Sequence, residues 1–217
     1  GDILFVLGTP GTPAEWQQGG MFNRPTDAWI SPVSGDLFIT DGYGNSRVHR
    51  FKSDGSHVLS WGEPGTGPSQ FSLPHNLTIT RNGQVIVCDR ENFRLQVFTE
   101  DGEFIRQLHM HRPISVTSGV GDDASIYVAE AGPPPVQEGV AGLGRMVKVL
   151  DLEFNEITRF GAGLQGEQPD RFYSPHGMAV DSEGSVYVAE VSYTAFGSQQ
   201  EPPREVISFR KWARTSG

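Results

Sequence analysis

The chain has one cysteine, Cys88, so no internal disulfide framework braces it. It is also short of positive charge: 17 Lys and Arg against 26 Asp and Glu give a formal charge of −9. Nucleic acid is captured by clustered Lys and Arg that displace counterions, so nucleic acid is not an expected partner. No apolar run approaches the roughly 20 residues that cross a bilayer as a helix, and no membrane partner is expected. A Gly-rich phosphate loop is missing as well. Long helices are disfavoured by 27 Gly and 15 Pro, which point to many short strands joined by tight turns.

What the chain has in quantity is self-similarity. Phe71-Ser72-Leu73-Pro74-His75-Asn76-Leu77-Thr78-Ile79 returns as Phe172-Tyr173-Ser174-Pro175-His176-Gly177-Met178-Ala179-Val180. Fainter copies are Phe22-Asn23-Arg24-Pro25-Thr26-Asp27-Ala28-Trp29-Ile30 and Arg112-Pro113-Ile114-Ser115-Val116. Each copy opens an alternating, strand-like stretch, and three more strand-like stretches follow before the next copy. In the first repeat these lie at 27–30, 37–40, 47–51 and 57–61, with Ser34-Gly35-Asp36, Gly42-Tyr43-Gly44-Asn45 and Asp54-Gly55 as turns. The second repeat has strands at 85–88, 94–98 and 104–108 after its proline. The third and fourth carry Pro/Gly-rich insertions at 132–144 and 192–203, followed by strands at 146–150 and 206–209. Four antiparallel strands every 40–50 residues are the pattern of a β-propeller blade. The expected fold is therefore all-β: one propeller domain over 1–217 with repeats at about 20–62, 70–108, 111–161 and 171–212. Asp2-Ile3-Leu4-Phe5-Val6-Leu7-Gly8 matches the closing strands of later repeats and is expected to be a strand. Four blades and an orphan strand suggest part of a six-bladed ring whose N-terminal blades are lacking. A closed four-bladed ring, with residues 2–7 completing the last blade, is the competing arrangement.

Propeller geometry places the residue after each proline at the start of the innermost strand, around the mouth of the central channel. Those residues are Thr26, His75, Ile114 and His176. Two histidines in the same register suggest metal ligands, since three histidines with an open position are a recurring zinc arrangement. The alternative is that each imidazole only bonds neighbouring backbone. His49, His57, His109 and His111 lack this register and are expected to be surface or packing residues. Asn76-Leu77-Thr78 has the form of a glycosylation sequon but begins an inner strand. In Asp41-Gly42-Tyr43-Gly44-Asn45-Ser46-Arg47 and Asp89-Arg90-Glu91-Asn92-Phe93-Arg94, the Asp, Asn and Arg are accounted for as turn caps and ion pairs. Tyr43 and Arg90 fall outside that frame. A tyrosine beside a metal can act as a base, and an arginine there suits bidentate capture of a carboxylate.

The blades resemble the NHL repeat. More specifically, residues 22–209 are similar to peptidyl-α-hydroxyglycine α-amidating lyase and its bacterial NHL-type relatives. The motifs that carry this are Phe22-Asn23-Arg24-Pro25-Thr26-Asp27, Asp41 to Arg47, Gln70-Phe71-Ser72-Leu73-Pro74-His75 and Asp89-Arg90-Glu91-Asn92. The resemblance implies a zinc site with His75 and His176 as two of three histidine ligands. It also implies Tyr43 as the catalytic base and Arg90 as the substrate-carboxylate arginine. The lyase removes a carbinolamide hydroxyl proton and releases an amide and glyoxylate. The chain departs from the family in several places. Ser174 stands where the lyase has a methionine, and Gly177 stands where an aspartate helps to hold calcium, which argues against calcium here. Asn23 and Gly44 occupy the places of one cysteine pair.

Two functions are therefore expected to compete. One is a zinc-dependent lyase or hydrolase acting on a small-molecule or peptide substrate that bears a carboxylate. The other is a non-catalytic propeller that binds a ligand, or a protein through its insertions at 132–144 and 192–203.

Overall fold

A computed structural model of the chain describes residues 2–121 and 123–214. It divides into two compact units, one ending at His109 and the other starting at Met110. The fold is all-β and is built from propeller blades, two in each unit.

Blade one is the antiparallel sheet of β1 (Asp27–Ile30), β2 (Leu37–Asp41), β3 (Arg47–Phe51) and β4 (His57–Trp61). A short parallel pair, β5 (Glu63–Pro64) and β6 (Gln70–Phe71), leads to blade two. That blade comprises β7 (Pro74–Ile79), β8 (Val85–Asp89), β9 (Arg94–Phe98) and β10 (Phe104–His109). In the second unit, blade three holds β11 (Pro113–Ser118), β12 (Ile126–Glu130), β13 (Arg145–Leu150) and β14 (Glu156–Gly163). Blade four shows three strands among the described residues: β15 (Pro175–Val180), β16 (Val186–Glu190) and β17 (Phe209–Trp212).

The strands are short because Asp-Gly turns stop them. At Asp54-Gly55 the aspartate accepts from the Ser56 N–H at 2.9 Å, and Gly55 stands at φ 86°, a conformation that side chains resist. Apolar faces of neighbouring blades then close on each other. In the first unit Phe38, Trp61, Phe71, Leu77 and Phe98 form one buried cluster, with Leu59 and Phe104 packed on it. In the second unit Val147, Phe172 and Val188 do the same, with Phe160 and Trp212 against them. Each fully buried large side chain contributes about 1.5–3 kcal/mol.

One polar device recurs in every blade. The carboxylate that ends the second strand accepts a backbone N–H from the segment ahead of that blade's proline. Asn23 donates to Asp41, Ser72 to Asp89, His111 to Glu130, and Tyr173 to Glu190, at 2.6–3.0 Å. The same carboxylates are held from the third strand by His49 (3.4 Å), Gln96 (3.0 Å), Lys148 (2.9 Å) and Arg210 (2.8 Å). In blade two Arg94 adds a 2.7 Å bond to Asp89. The expectation that Arg47 would pair with Asp41 is thus corrected. Arg47 lies opposite Asp41 in the ladder but makes no bond to it among the described residues; His49, two residues on and on the same face, holds the carboxylate instead.

Two strand expectations also change. Residues 2–7 make no strand among the described residues, and Ile3 and Leu4 stay 82% and 89% exposed, so the expected orphan strand is not present there. The last strand is Phe209–Trp212 rather than 206–209. The shift puts Arg210 on Glu190 and sets the Trp212 ring 4.7 Å from Phe172, satisfying a buried charge and the core together.

Candidate active site

The loops that join second to third strands fold back onto the proline segments. Tyr43 N–H donates to the Arg24 carbonyl, Arg90 to Leu73, Ala131 to Arg112 and Val191 to Ser174, at 3.0–3.3 Å. In three blades the residue ahead of the proline is left-handed to allow this: Arg24 at φ 58°, Leu73 at 64° and Arg112 at 45°. The residue after the proline then falls at a bulge. The ladders of β7, β11 and β15 shift register between Pro74 and Leu77, Pro113 and Ser115, and Pro175 and Gly177. A bulge releases His75, Ile114 and His176 from regular pairing and re-aims their side chains.

Three of the four residues singled out from sequence meet in the first unit. Tyr43 Oη lies 3.2 Å from His75 Nε2, with the two rings edge-on at 81° and 5.7 Å between centroids. The Arg90 guanidinium carbon sits 6.0 Å from the centre of the Tyr43 ring. His75 is buried, while Tyr43 remains 40% exposed, so the hydroxyl is within reach of a small molecule. His176 holds the matching bulge position of the second unit.

Close approach makes the meeting possible. A Cβ on Gly42 would come 2.1 Å from the Pro74 carbonyl oxygen, so only glycine lets the Tyr43 turn lie against the His75 segment. Thr26 Oγ1 donates to the same carbonyl at 2.8 Å and pins the blade-one segment there. Behind Gly44, an added Cβ would meet the Asn23 side chain, so the two residues at the lyase's cysteine positions do stand together. Below His75, Asp27 Oδ2 accepts from Asn76 Nδ2 at 2.6 Å and from the Leu77 N–H at 3.2 Å. Asn76 thus spends its amide inside the fold. Burial raises the Asp27 carboxyl above its ordinary range, against the pull of the Leu77 and Ala28 backbone N–H groups. Burial also raises Asp89, against its bonds from Ser72, Asn92 and Arg94, and Cys88 is pushed well up by burial with Asp27 and Asp89 nearby.

Sequence reasoning missed three residues of this neighbourhood. Thr26 was noted only as a ring position and His49 only as packing, yet both fix the loops that carry Tyr43. Glu91, whose Oε1 holds Arg90 Nε at 2.8 Å, carried no signal beyond adjacency. The remaining histidines take bonding or surface places: His57 bonds Ser60, His111 bonds Gln137, and His109 lies exposed at the end of β10.

Among the described residues no three of His, Cys, Asp and Glu come together as a metal-binding group. His75 is a donor of the right kind for zinc. Gly177 brings no carboxylate for calcium.

The NHL repeat family model matches residues 71–98 and 172–195. The matched stretches are NHL repeats, carried here in blades two and four. Among the chain's relatives is peptidyl-glycine alpha-amidating monooxygenase B of Xenopus laevis, 33% identical over 199 residues, which cover 88% of this chain and 22% of that protein. NHL repeat-containing protein 3 of Homo sapiens is 32% identical over 203 residues, covering 88% and 54%. Peptidyl-alpha-hydroxyglycine alpha-amidating lyase 1 of Drosophila melanogaster is 29% identical over 195 residues, covering 80% and 34%. The NHL-repeat chain therefore spans about a fifth to a half of the length of these relatives. Among solved structures, the hydrazine synthase of Kuenenia stuttgartiensis superposes with a TM-score of 0.58 at 14% identity, over 86% of this chain and 45% of that one, a likeness of fold alone.

Proposed function

We propose that the chain forms part of a lyase site of the amidating type, acting on a small carboxylate-bearing carbinolamide such as a peptidyl-α-hydroxyglycine. The observation that carries this reading is the convergence of Tyr43, His75 and Arg90, with the tyrosine hydroxyl 3.2 Å from the imidazole. The names of relatives that include an amidating lyase support it.

In this reading the Arg90 Nη atoms take the substrate carboxylate as paired charge-assisted hydrogen bonds. Tyr43, acting as its phenolate, takes the proton of the substrate hydroxyl onto Oη, and the freed O–H electron pair becomes the new C=O bond. The C–N bond breaks, its electron pair stays on nitrogen, and that nitrogen takes up the proton now held on Tyr43 Oη to leave as the amide. Glyoxylate is the second product, and no water or redox partner is consumed. His75 orients the Tyr43 hydroxyl through its imidazole. Zinc, with His75 among its ligands, would supply Lewis-acid polarisation of the substrate oxygen.

The test is glyoxylate release from a synthetic peptidyl-α-hydroxyglycine, with zinc content measured in parallel. Tyr43→Phe is expected to keep the fold and lower kcat by about 100-fold or more, the usual reach of a general base. Full activity in that variant would refute the mechanism. Absence of turnover in the zinc-loaded parent would favour the second reading, a non-catalytic binding propeller. Its support is the Pro-rich insertion at 132–144, which leaves Val136 90% and Val140 49% exposed for a protein partner.

A further inference from the structure

We propose that Glu91 is a positioning residue that orients Arg90 for carboxylate capture, a proposal that rests on the lyase reading of Arg90. An arginine side chain carries several soft torsions, and five N–H donors that match a carboxylate only when the guanidinium plane is fixed. Here the fixing is visible. Arg90 Nε is bound to Glu91 Oε1 at 2.8 Å, and among the described residues its two Nη atoms carry no other partner. The Nε bond uses one edge of the fork and leaves the Nη end, which is the end suited to a bidentate carboxylate.

The support behind Glu91 is rigid. Its own N–H donates to the Ser72 carbonyl at 3.0 Å, while Arg90 N–H donates to Leu73 at 3.3 Å. Asn92 Nδ2 ties the same short turn to Asp89 Oδ2 and to the Gly65 carbonyl, both at 2.8 Å. Glu91 is thus anchored through its backbone to the segment that runs into Pro74 and His75. The position has a counterpart in blade one. By backbone pairing that counterpart is Gly44, whose N–H donates to the Asn23 carbonyl as that of Glu91 donates to Ser72, while Tyr43 is the counterpart of Arg90. One copy therefore supplies the phenol and the other the cation. The Arg90 and Glu91 side chains are 15% and 34% exposed, so an incoming anion reaches them without the fold opening.

An ordinary surface ion pair would leave turnover and binding unchanged when removed, and that difference is the test. Glu91→Ala is expected to raise KM for the hydroxyglycine substrate about tenfold with kcat nearly unchanged, because orientation is lost while the chemistry is intact. Glu91→Gln, which keeps the Oε1 acceptor, is expected to restore most of the affinity. A substrate with its carboxylate amidated should not distinguish the parent from Glu91→Ala. A readout without turnover is titration of the 15N-labelled chain with N-acetylglycine, following the Arg90 Nε–H resonance in the parent and backbone resonances in each variant. The same roughly tenfold weakening is expected in Glu91→Ala. Unchanged N-acetylglycine affinity in Glu91→Ala, or a Glu91→Gln variant as weak as Glu91→Ala, would overturn the proposal. Arg90→Ala separates the two possible failures. If it leaves N-acetylglycine binding intact, the carboxylate role of Arg90 is wrong. If it abolishes binding while Glu91→Ala does not, only the role of Glu91 is wrong.

Discussion

Arg94→Ala should uncouple the carboxylate latch of blade two. The guanidinium bonds Asp89 Oδ2 at 2.7 Å, and its Nη atoms reach the carbonyls of Thr66, Gly67 and Gln70 and Gln107 Oε1, each at 2.8 Å. Its side chain is 8% exposed and that of Asp89 is fully buried. Removing one partner of a buried pair costs about 3–5 kcal/mol, since the other charge stays in the interior. Asp89 keeps donors from Ser72, Asn92 and Gln96, and Gln96 still covers the Gln70 carbonyl, which places the expected loss near the low end, about 3 kcal/mol. For a chain of this length that is a fall in Tm of about 6–12 °C, or the matching shift in a urea midpoint. The sign of the pH dependence follows from the raised Asp89 carboxyl. A group whose folded pKa exceeds its unfolded value gives stability that is complete below the unfolded value and is lost as pH rises through the folded one. Without Arg94 the folded carboxyl rises further, so the deficit should be largest near pH ~7 and shrink as the pH falls below about 4, where the carboxyl becomes protonated in both states. A loss below about 1 kcal/mol at neutral pH, within the range of a surface pair, would refute the reasoning. So would a deficit that grows on acidification.

Gly42→Ala would place a methyl 2.1 Å from the Pro74 carbonyl, so a loss of at least about 2 kcal/mol is expected, with turnover falling as Tyr43 moves off His75. A variant as stable and as active as the parent would mean that the turn has slack the structure does not show. Cys88 is fully buried, with its thiol pushed well up by burial and by Asp27 and Asp89 nearby. It should stay unreactive towards a thiol reagent at pH ~8 until urea unfolds the protein; fast labelling of the native chain would contradict its placement.

Period-two alternation, the Asp-Gly turns and the four Phe- or Arg-led proline segments were enough to read an all-β propeller in the sequence, because blade geometry is local and repeats. The register of Tyr43 and Arg90 outside the Asp-Asn-Arg frame was legible for the same reason. Similarity in residues 2–8 misled, because a strand needs a neighbour to pair with and sequence likeness does not supply one. The last strand was placed three residues early. The alternation at 206–209 is no better or worse than that at 209–212, and only the burial of Trp212 and the bond from Arg210 to Glu190 select between them. His49 could not be read as the partner of Asp41, since Arg47 is nearer in sequence and carries the stronger charge. Both side chains share one face of the strand, and only the folded geometry selects between them. The same holds for Thr26 and Gly42. Their work depends on the Pro74 carbonyl, brought in from a segment distant in sequence. The sequence by itself therefore determined the repeat, the turns and the residue types at the loop ends. Tertiary structure decided which of those side chains touch, because contact across blades is set by backbone approach and buried charge that no single repeat contains.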